Sequence, residues 1–402
     1  FADKFYRSLA LGKPVDEAVQ STRNLISVKV GLDKRDFATP VLYMRAVDGI
    51  ILDLAKANEK ESPVKDVESP ELPLKNELPE PYIKLPIGSK HIALRNRLFT
   101  GRQEDLKWLA SALLYSSPDH DGTGAVITGW RGVGKSQLAI EFCYRYGRYL
   151  QGIHWVQADQ NIPTEIADCG RSMNLSGWPD KLQEQVDATL KAWRDGGLHL
   201  IVFDNVENPQ VIQDWLSRIL PAKLLVTSYQ TIWPTNLGMA VKELKTLDIL
   251  QSRELLCKIA PKLGQQKDSY LDELANRLDN LPLALDLAGR YLAFNPDISP
   301  SDYLSDLEDA SCSLEHTSLK LDYGPSPTNH IPLGATIGLS WKQLIDTETD
   351  ILAKLIFRVC GYCAPNKPIP RTLLEDVLST RASKQMLSEA LMKLDRLGLI
   401  AP

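Results

Sequence analysis

The chain has 402 residues, enough for several domains with their own cores, and it carries 46 Lys and Arg against 51 Asp and Glu for a net charge of −5. That balance gives no overall pull toward nucleic acid or an anionic membrane. Six cysteines are too few for a disulfide scaffold, and no apolar stretch of about 20 residues or signal-like segment occurs, so a cytoplasmic, reducing setting is expected. Phe1 at the start and the tailless "LMKLDRLGLIAP" at the end are the marks expected of a segment of a longer polypeptide.

Residues 1–54 read as a helix, "DEAVQSTRNLIS", followed by a strand, "TPVLYMR", the pattern of the closing part of an α/β domain. Residues 55–86 hold 6 prolines and 12 charged residues, too little apolar content to offset the entropy of ordering, and are expected to be a linker. From 87 to 240, apolar β-type runs ("AVITG", "GIHWVQA", "HLIVFDN", "KLLVTS") alternate with amphipathic stretches such as "EDLKWLASALL" and "QVIQDWLSRIL", which predicts a parallel sheet with helices on both faces. Residues 241–325 turn wholly helical, with Leu271, Leu274 and Leu278 on one face and a second helix starting near Pro282. Residues 326–402 carry further helices, one striped by Met386, Ala390, Leu394 and Leu397, in a size that suits a winged-helix unit. The sequence contains no internal repeat.

The stretch "AVITGWRGVGKSQLAIEF" breaks a β-branched run with a glycine-rich turn that fits G-x-x-x-x-G-K-S as Gly129, Gly134, Lys135 and Ser136. Its glycines, Gly132 included, permit the dihedrals that aim successive N–H groups at phosphate oxygens. The helix starting near Ser136 adds its positive dipole end. Lys135 would reach the β- and γ-phosphates and the Ser136 hydroxyl would ligate Mg²⁺, with Val133 and Gln137 completing the nucleotide-binding set from within the loop and the first helical turn. A partner for that metal is expected after another buried strand, and "LHLIVFDN" ends in Asp204. The next residue, Asn205, is an amide where a hydrolysing enzyme often has a second acid, and an amide cannot take a proton.

The order of these motifs resembles the NB-ARC class of STAND signalling NTPases over residues 99–402. "FTGRQEDL" is similar to that family's opening motif, which implies that Gly101 and Arg102 lie against the base side of the nucleotide. "GWRGVGKS" and "IVFDN" look like its two Walker motifs, and "NLPLAL" resembles the GLPLA motif, which implies that Pro282 packs near the nucleotide. The resemblance implies ADP/ATP and Mg²⁺ as cofactors and a winged-helix domain, here incomplete, that closes over ADP. Three departures stand out. Tyr229 in "LLVTSYQ" occupies the sensor position where the family has an arginine facing the γ-phosphate, and a neutral phenol cannot supply that charge-assisted contact. Asn280 stands where glycine is preferred, and the family's histidine beyond the winged helix does not occur before the chain ends.

The N-terminal piece, "FYRSLALGKPVDEAVQSTRN" with "DFATPVLYMRAVDG", resembles the closing helix and strand of a CHAT domain, a caspase-like fold. That family's catalytic His and Cys lie upstream of such a segment, so no catalytic residue is assigned here and any peptidase activity would belong to a preceding part. The expected function is an ADP/ATP-controlled switch that self-associates on activation, answers a protein or ligand trigger sensed by a region beyond the C-terminus, and activates the CHAT effector. Alternatives are a STAND-type transcription regulator using the winged helix, or a turnover P-loop ATPase. Residues 333–402 hold nine Lys or Arg against seven Asp or Glu, and the best recognition helix carries Glu389 and Asp395, which phosphates would repel. Cys360 and Cys363 in "CGYC" lack a second ligand pair, and His154 and His199 lie inside strand runs, so all four are read as packed side chains.

Overall fold

A computed structural model describes residues 71–90, 92–115, 124–315, 333–345, 347–363, 368–379 and 381–400, which belong to one compact unit, Glu71–Pro402. The CHAT-like reading of residues 1–54 lies outside the described residues, as does the first half of the expected linker.

The unit opens with an extended segment followed by α1 (Gln103–Leu113). The core elements then run β1 (Gly124–Thr128), α2 (Lys135–Tyr146), β2 (Gly152–Gln157), α3 (Ile162–Ser172), α4 (Leu182–Asp195), β3 (His199–Val206), α5 (Gln210–Ile219), β4 (Lys223–Ser228) and β5 (Ala240–Glu243). The five strands form one parallel sheet in the order β2-β3-β4-β1-β5. Strands covered on both faces need apolar side chains on both, which is why they appear in the sequence as unbroken runs. Alternation divides each run between two cores. Ile127, Leu225 and Val202 face a layer with Leu109, Phe142 and Tyr146 of α1 and α2, while Val126, Val226 and Phe203 face Ile166, Trp193 and Ile212 of α3, α4 and α5.

Residues 71–90 run along the first of these layers. Leu78 and Leu85 pack against it, Tyr82 N–H donates to the Tyr144 carbonyl, and the carbonyls of Pro73 and Pro79 accept from Tyr115 Oη and Arg145 at 2.5 and 2.8 Å. Buried Glu141 of α2 accepts from Arg145 one turn on and from Arg95 upstream, each at 2.7 Å, which ties the incoming chain to the sheet layer.

A helical region follows: α6 (Ile249–Ile259), α7 (Asp268–Arg277), α8 (Pro282–Phe294), α9 (Pro300–Glu315) and α10 (Leu333–Lys342). Asp248 closes a capping box on Gln251 at the start of α6, and Pro282 occupies the first turn of α8, where its missing N–H costs nothing. Between α7 and α8, Asp279 and Asn280 both take left-handed backbone, with φ of 54° and 53°. That is why a glycine suits position 280 and why asparagine, which tolerates this region, can replace it.

The last helices are α11 (Glu348–Cys360), α12 (Arg371–Leu378) and α13 (Lys384–Arg396), whose core includes Leu352, Ile356, Leu374, Leu387 and Leu394. Ala335 and Leu339 of α10 pack with α6–α9, whereas Leu344 belongs to the core of α11–α13. Among the described residues this terminal segment has helices and no strand pair that would make a wing. No helix among the described residues is long and apolar enough to cross a membrane.

Candidate functional site

The glycine-rich turn leaves the C-terminal end of β1, a buried interior strand, and feeds directly into α2. Gly129, Gly132 and Gly134 have φ of 134°, 79° and 99°, conformations that L side chains rarely adopt. Gly134 is the residue before α2, so the unpaired N–H groups of that helix's first turn face the loop. Lys135 folds back over it, its Nζ donating at 2.8 Å to both the Gly129 and Trp130 carbonyls. Burial, and the charge of Arg131, bring the Lys135 ammonium down to about 8 against the opposing pull of Asp204. Val133 is buried under the loop, whereas Gln137 is exposed one turn into α2.

Asp204, near the end of β3, is buried, and that burial raises its pKa. Ser136 Oγ donates to its Oδ1 at 2.7 Å and Thr227 Oγ1, from the end of β4, donates to the same oxygen at 2.5 Å, and both hydrogen bonds work against the rise. β4 lies between β1 and β3, so the sheet order brings these three side chains together. The pairing of β3 with β4 is irregular between Phe203 and Val206, where Asn205 adopts φ 64°. Its amide N–H donates to Thr227 Oγ1 at 2.9 Å, and its side-chain amide donates to Asp159 Oδ2 at 3.1 Å. Thr227 and Asp159 were missed in the sequence reading. The signal available for them was position alone, both standing at the C-terminal ends of apolar runs.

The other expected residues line up around the loop. Arg102, itself left-handed at φ 67° after Gly101 at φ 67°, donates from a guanidinium nitrogen to the Val133 carbonyl at 3.1 Å and pairs with Asp105 at 3.6 Å. Gly101 abuts the Gln251 side chain of α6. Pro282 opens α8 beside the loop: the next residue, Leu283, donates its backbone N–H to the Gly132 carbonyl at 3.2 Å, and a Cβ on Gly132 would stand 3.1 Å from Leu283 Cβ. Tyr229 follows β4, and its ring carries the Arg131 guanidinium at 5.2 Å from the centroid.

His154 and His199 meet each other across β2 and β3, Nε2 to Nδ1 at 3.2 Å, and His154 Nδ1 has no hydrogen-bond partner among the described residues. Burial first, then the charges of His199 and Lys90, push His154 down to about 3. Among the described residues no group of His, Cys, Asp and Glu could form a metal-binding cluster, and Cys360 and Cys363 are free half-buried thiols.

The chain is thus a parallel α/β fold in which an interior strand runs through a glycine-rich turn into a helix, with a serine and a buried strand-end carboxylate joined beside it. No protein-family model and no curated protein sequence matches the chain. Among solved structures it is similar to a signal transduction ATPase with numerous domains (STAND) with a tetratricopeptide repeat sensor from Pyrococcus horikoshii, at 16% identity and a TM-score of 0.47, over 77% of this chain and 41% of that one. It is also similar to domain III of the replication initiation protein DnaA from Thermotoga maritima (14% identity, TM-score 0.35, 53% and 94% covered) and to Cdc6p from Pyrobaculum aerophilum (14%, 0.32, 77% and 89%). The chain thus matches less than half the length of the Pyrococcus protein. What the site does is read from its own residues.

Proposed function

We propose that this chain is the nucleotide-controlled module of a STAND-type switch, which holds ADP at rest and changes its domain arrangement on exchange for ATP. The observation that supports this reading most is the Leu283 N–H to Gly132 carbonyl hydrogen bond. It joins the first turn of α8 to the loop that would wrap the phosphates, so a loop rearranged around a different phosphate chain shifts the helix bound to it.

The phosphates would be held by the N–H groups of residues 132–136 and by Lys135. Gly101, Arg102 and Pro282 form the rim on the base side. Ser136 Oγ and Asp204 Oδ1 suit Mg²⁺, because they are adjacent oxygens and the cation would offset the cost of burying the carboxylate. Mg²⁺ bound there supplies charge neutralisation for phosphate oxygens. The N-terminal segment as a CHAT effector, the terminal helices as a winged-helix closure, self-association on activation and a trigger sensed beyond the C-terminus complete the proposal.

Hydrogen exchange of residues 281–294 in ADP and in a slowly hydrolysed ATP analogue with Mg²⁺ tests it. Protection of the first turn of α8 should differ between the two nucleotides. Identical exchange, with both nucleotides bound, would leave a nucleotide site without a switch.

A further inference from the structure

We propose that Arg131 is the residue by which this site distinguishes a nucleoside triphosphate from a diphosphate, with Tyr229 as the residue that positions it. This rests on the nucleotide reading above. Arg131 lies on the phosphate loop four residues before Lys135, and its guanidinium sits on the Tyr229 ring. The neighbouring cations are already engaged: Lys135 with the Gly129 and Trp130 carbonyls, Arg102 with the Val133 carbonyl and Asp105. Arg131, by contrast, has no acidic partner among the described residues and is exposed. The contact with the Tyr229 ring ties up no carboxylate or carbonyl, so no acidic side chain among the described residues competes for the N–H donors that match phosphate oxygens bidentately.

Its location favours the terminal phosphate. Tyr229 leaves the sheet from β4, two residues after Thr227, whose hydroxyl bonds Asp204. The ring therefore keeps the guanidinium by the C-terminal end of β4, the strand whose Thr227 bonds Asp204. Arg131 is also close enough to Lys135 for its charge to disfavour the lysine's protonated form, so two cations converge on one locus that a polyanion would neutralise. The Lys135 ammonium and the loop N–H groups already serve a diphosphate. The additional charge of a triphosphate requires an additional donor. Tyr229 has no charge to give, but it fixes the direction of a side chain that does.

Calorimetric titration of the 402-residue chain with ADP and with the β,γ-imido analogue of ATP, both with Mg²⁺, tests the assignment. Arg131→Gln should weaken the analogue by about 10- to 100-fold and ADP by no more than about 3-fold, the scale of a lost charge-assisted phosphate contact. Tyr229→Phe, which keeps the ring, should leave the preference intact, and Tyr229→Leu should weaken the analogue by about 2- to 5-fold. The double variant Arg131→Gln, Tyr229→Arg, which returns a guanidinium to the end of β4, should recover part of the loss. Equal weakening of both nucleotides by Arg131→Gln, or no weakening of either, would overturn the assignment while leaving the phosphate loop's role in place. A wild-type chain that takes up neither nucleotide would overturn the nucleotide reading itself and this inference with it.

Discussion

Leu283 donates its backbone N–H to the carbonyl of Gly132, 3.2 Å away, across a chain separation that takes in strands β2 to β5. A residue of a helical region and a residue of the glycine-rich loop thus share one hydrogen bond, and Gly132 has φ 79° with Leu283 Cβ 3.1 Å from where its own Cβ would be. Gly132→Ala should therefore cost roughly 1–2 kcal/mol in backbone strain before any effect of crowding Leu283. Urea melts should show that loss, and hydrogen exchange should show it concentrated at the first turn of α8.

ADP at about 100 times its dissociation constant should add roughly 2.7 kcal/mol to stability, read as a rise in melting temperature. Lys135→Ala should abolish the rise, because the ammonium that now bridges two loop carbonyls is the charge that would meet the diphosphate. An unchanged melting temperature in wild type would remove the basis for a nucleotide latch.

Asp204 accepts from both Ser136 and Thr227, so Asp204→Ala leaves two hydroxyls without their acceptor as well as removing an oxygen from the metal position. Loss of the pair should cost roughly 1–3 kcal/mol of stability. Binding of ATP with Mg²⁺ should fall much further than binding of ADP in chelator, and calorimetry under both conditions separates the two effects. Equal losses would mean that the carboxylate serves only the fold.

Stability should fall as pH drops below about 6.5, the ordinary histidine value. An unfolded chain takes up a proton on His154 there, whereas the folded chain resists until about 3, so between those values the unfolded state binds more protons and is favoured by acid. The contribution of this one group is about 1.4 kcal/mol per pH unit. His199 is lowered too, by its own burial, and adds in the same direction. His154→Gln should flatten the slope measured by urea melts between pH 7 and pH 5.

The parallel sheet and the glycine-rich turn between β1 and α2 could be read from the sequence because both are local. Doubly covered strands such as "LIVF" are unbroken apolar runs, and a loop that cradles phosphate needs its glycines, lysine and serine within a few positions. Asp204 could be read because an acid ends such a run. Thr227, Asp159 and the stack of Arg131 on Tyr229 could not, since only the β2-β3-β4-β1 order brings those chain positions side by side. Residues 71–86 read as linker because much of what they contribute is backbone: the carbonyls of Pro73 and Pro79 serve Tyr115 and Arg145, and no side-chain pattern announces that. Asn280 departs from the preferred glycine in residue type but not in backbone, since its φ of 53° is the left-handed conformation that asparagine tolerates.

Hydrolysis should be slow, well below the median enzyme turnover of about 10 per second. Asn205 follows Asp204, and its amide cannot accept a proton from water. Tyr229 offers a neutral ring where charge stabilisation is needed, and one absent preorganised donor costs roughly 2.7–4 kcal/mol, about 100- to 1000-fold in rate. Two features limit how slow it becomes. Asp159 accepts from the Asn205 amide at 3.1 Å, and its charge is felt by Asp204, so a second carboxylate stands near the site although it comes from the end of β2 rather than from β3. Arg131 brings a guanidinium to Tyr229. The residual rate should accordingly fall further in Asp159→Asn, in which the amide pair can still form, and rise in Asn205→Asp only if the new acid escapes repulsion from Asp159. Phosphate release followed at saturating ATP with Mg²⁺ decides between these outcomes, with Lys135→Ala as the blank. Fast turnover that survives Asp159→Asn would mean that water is activated by a group other than these two, and that the nucleotide is consumed as fuel rather than held as a latch.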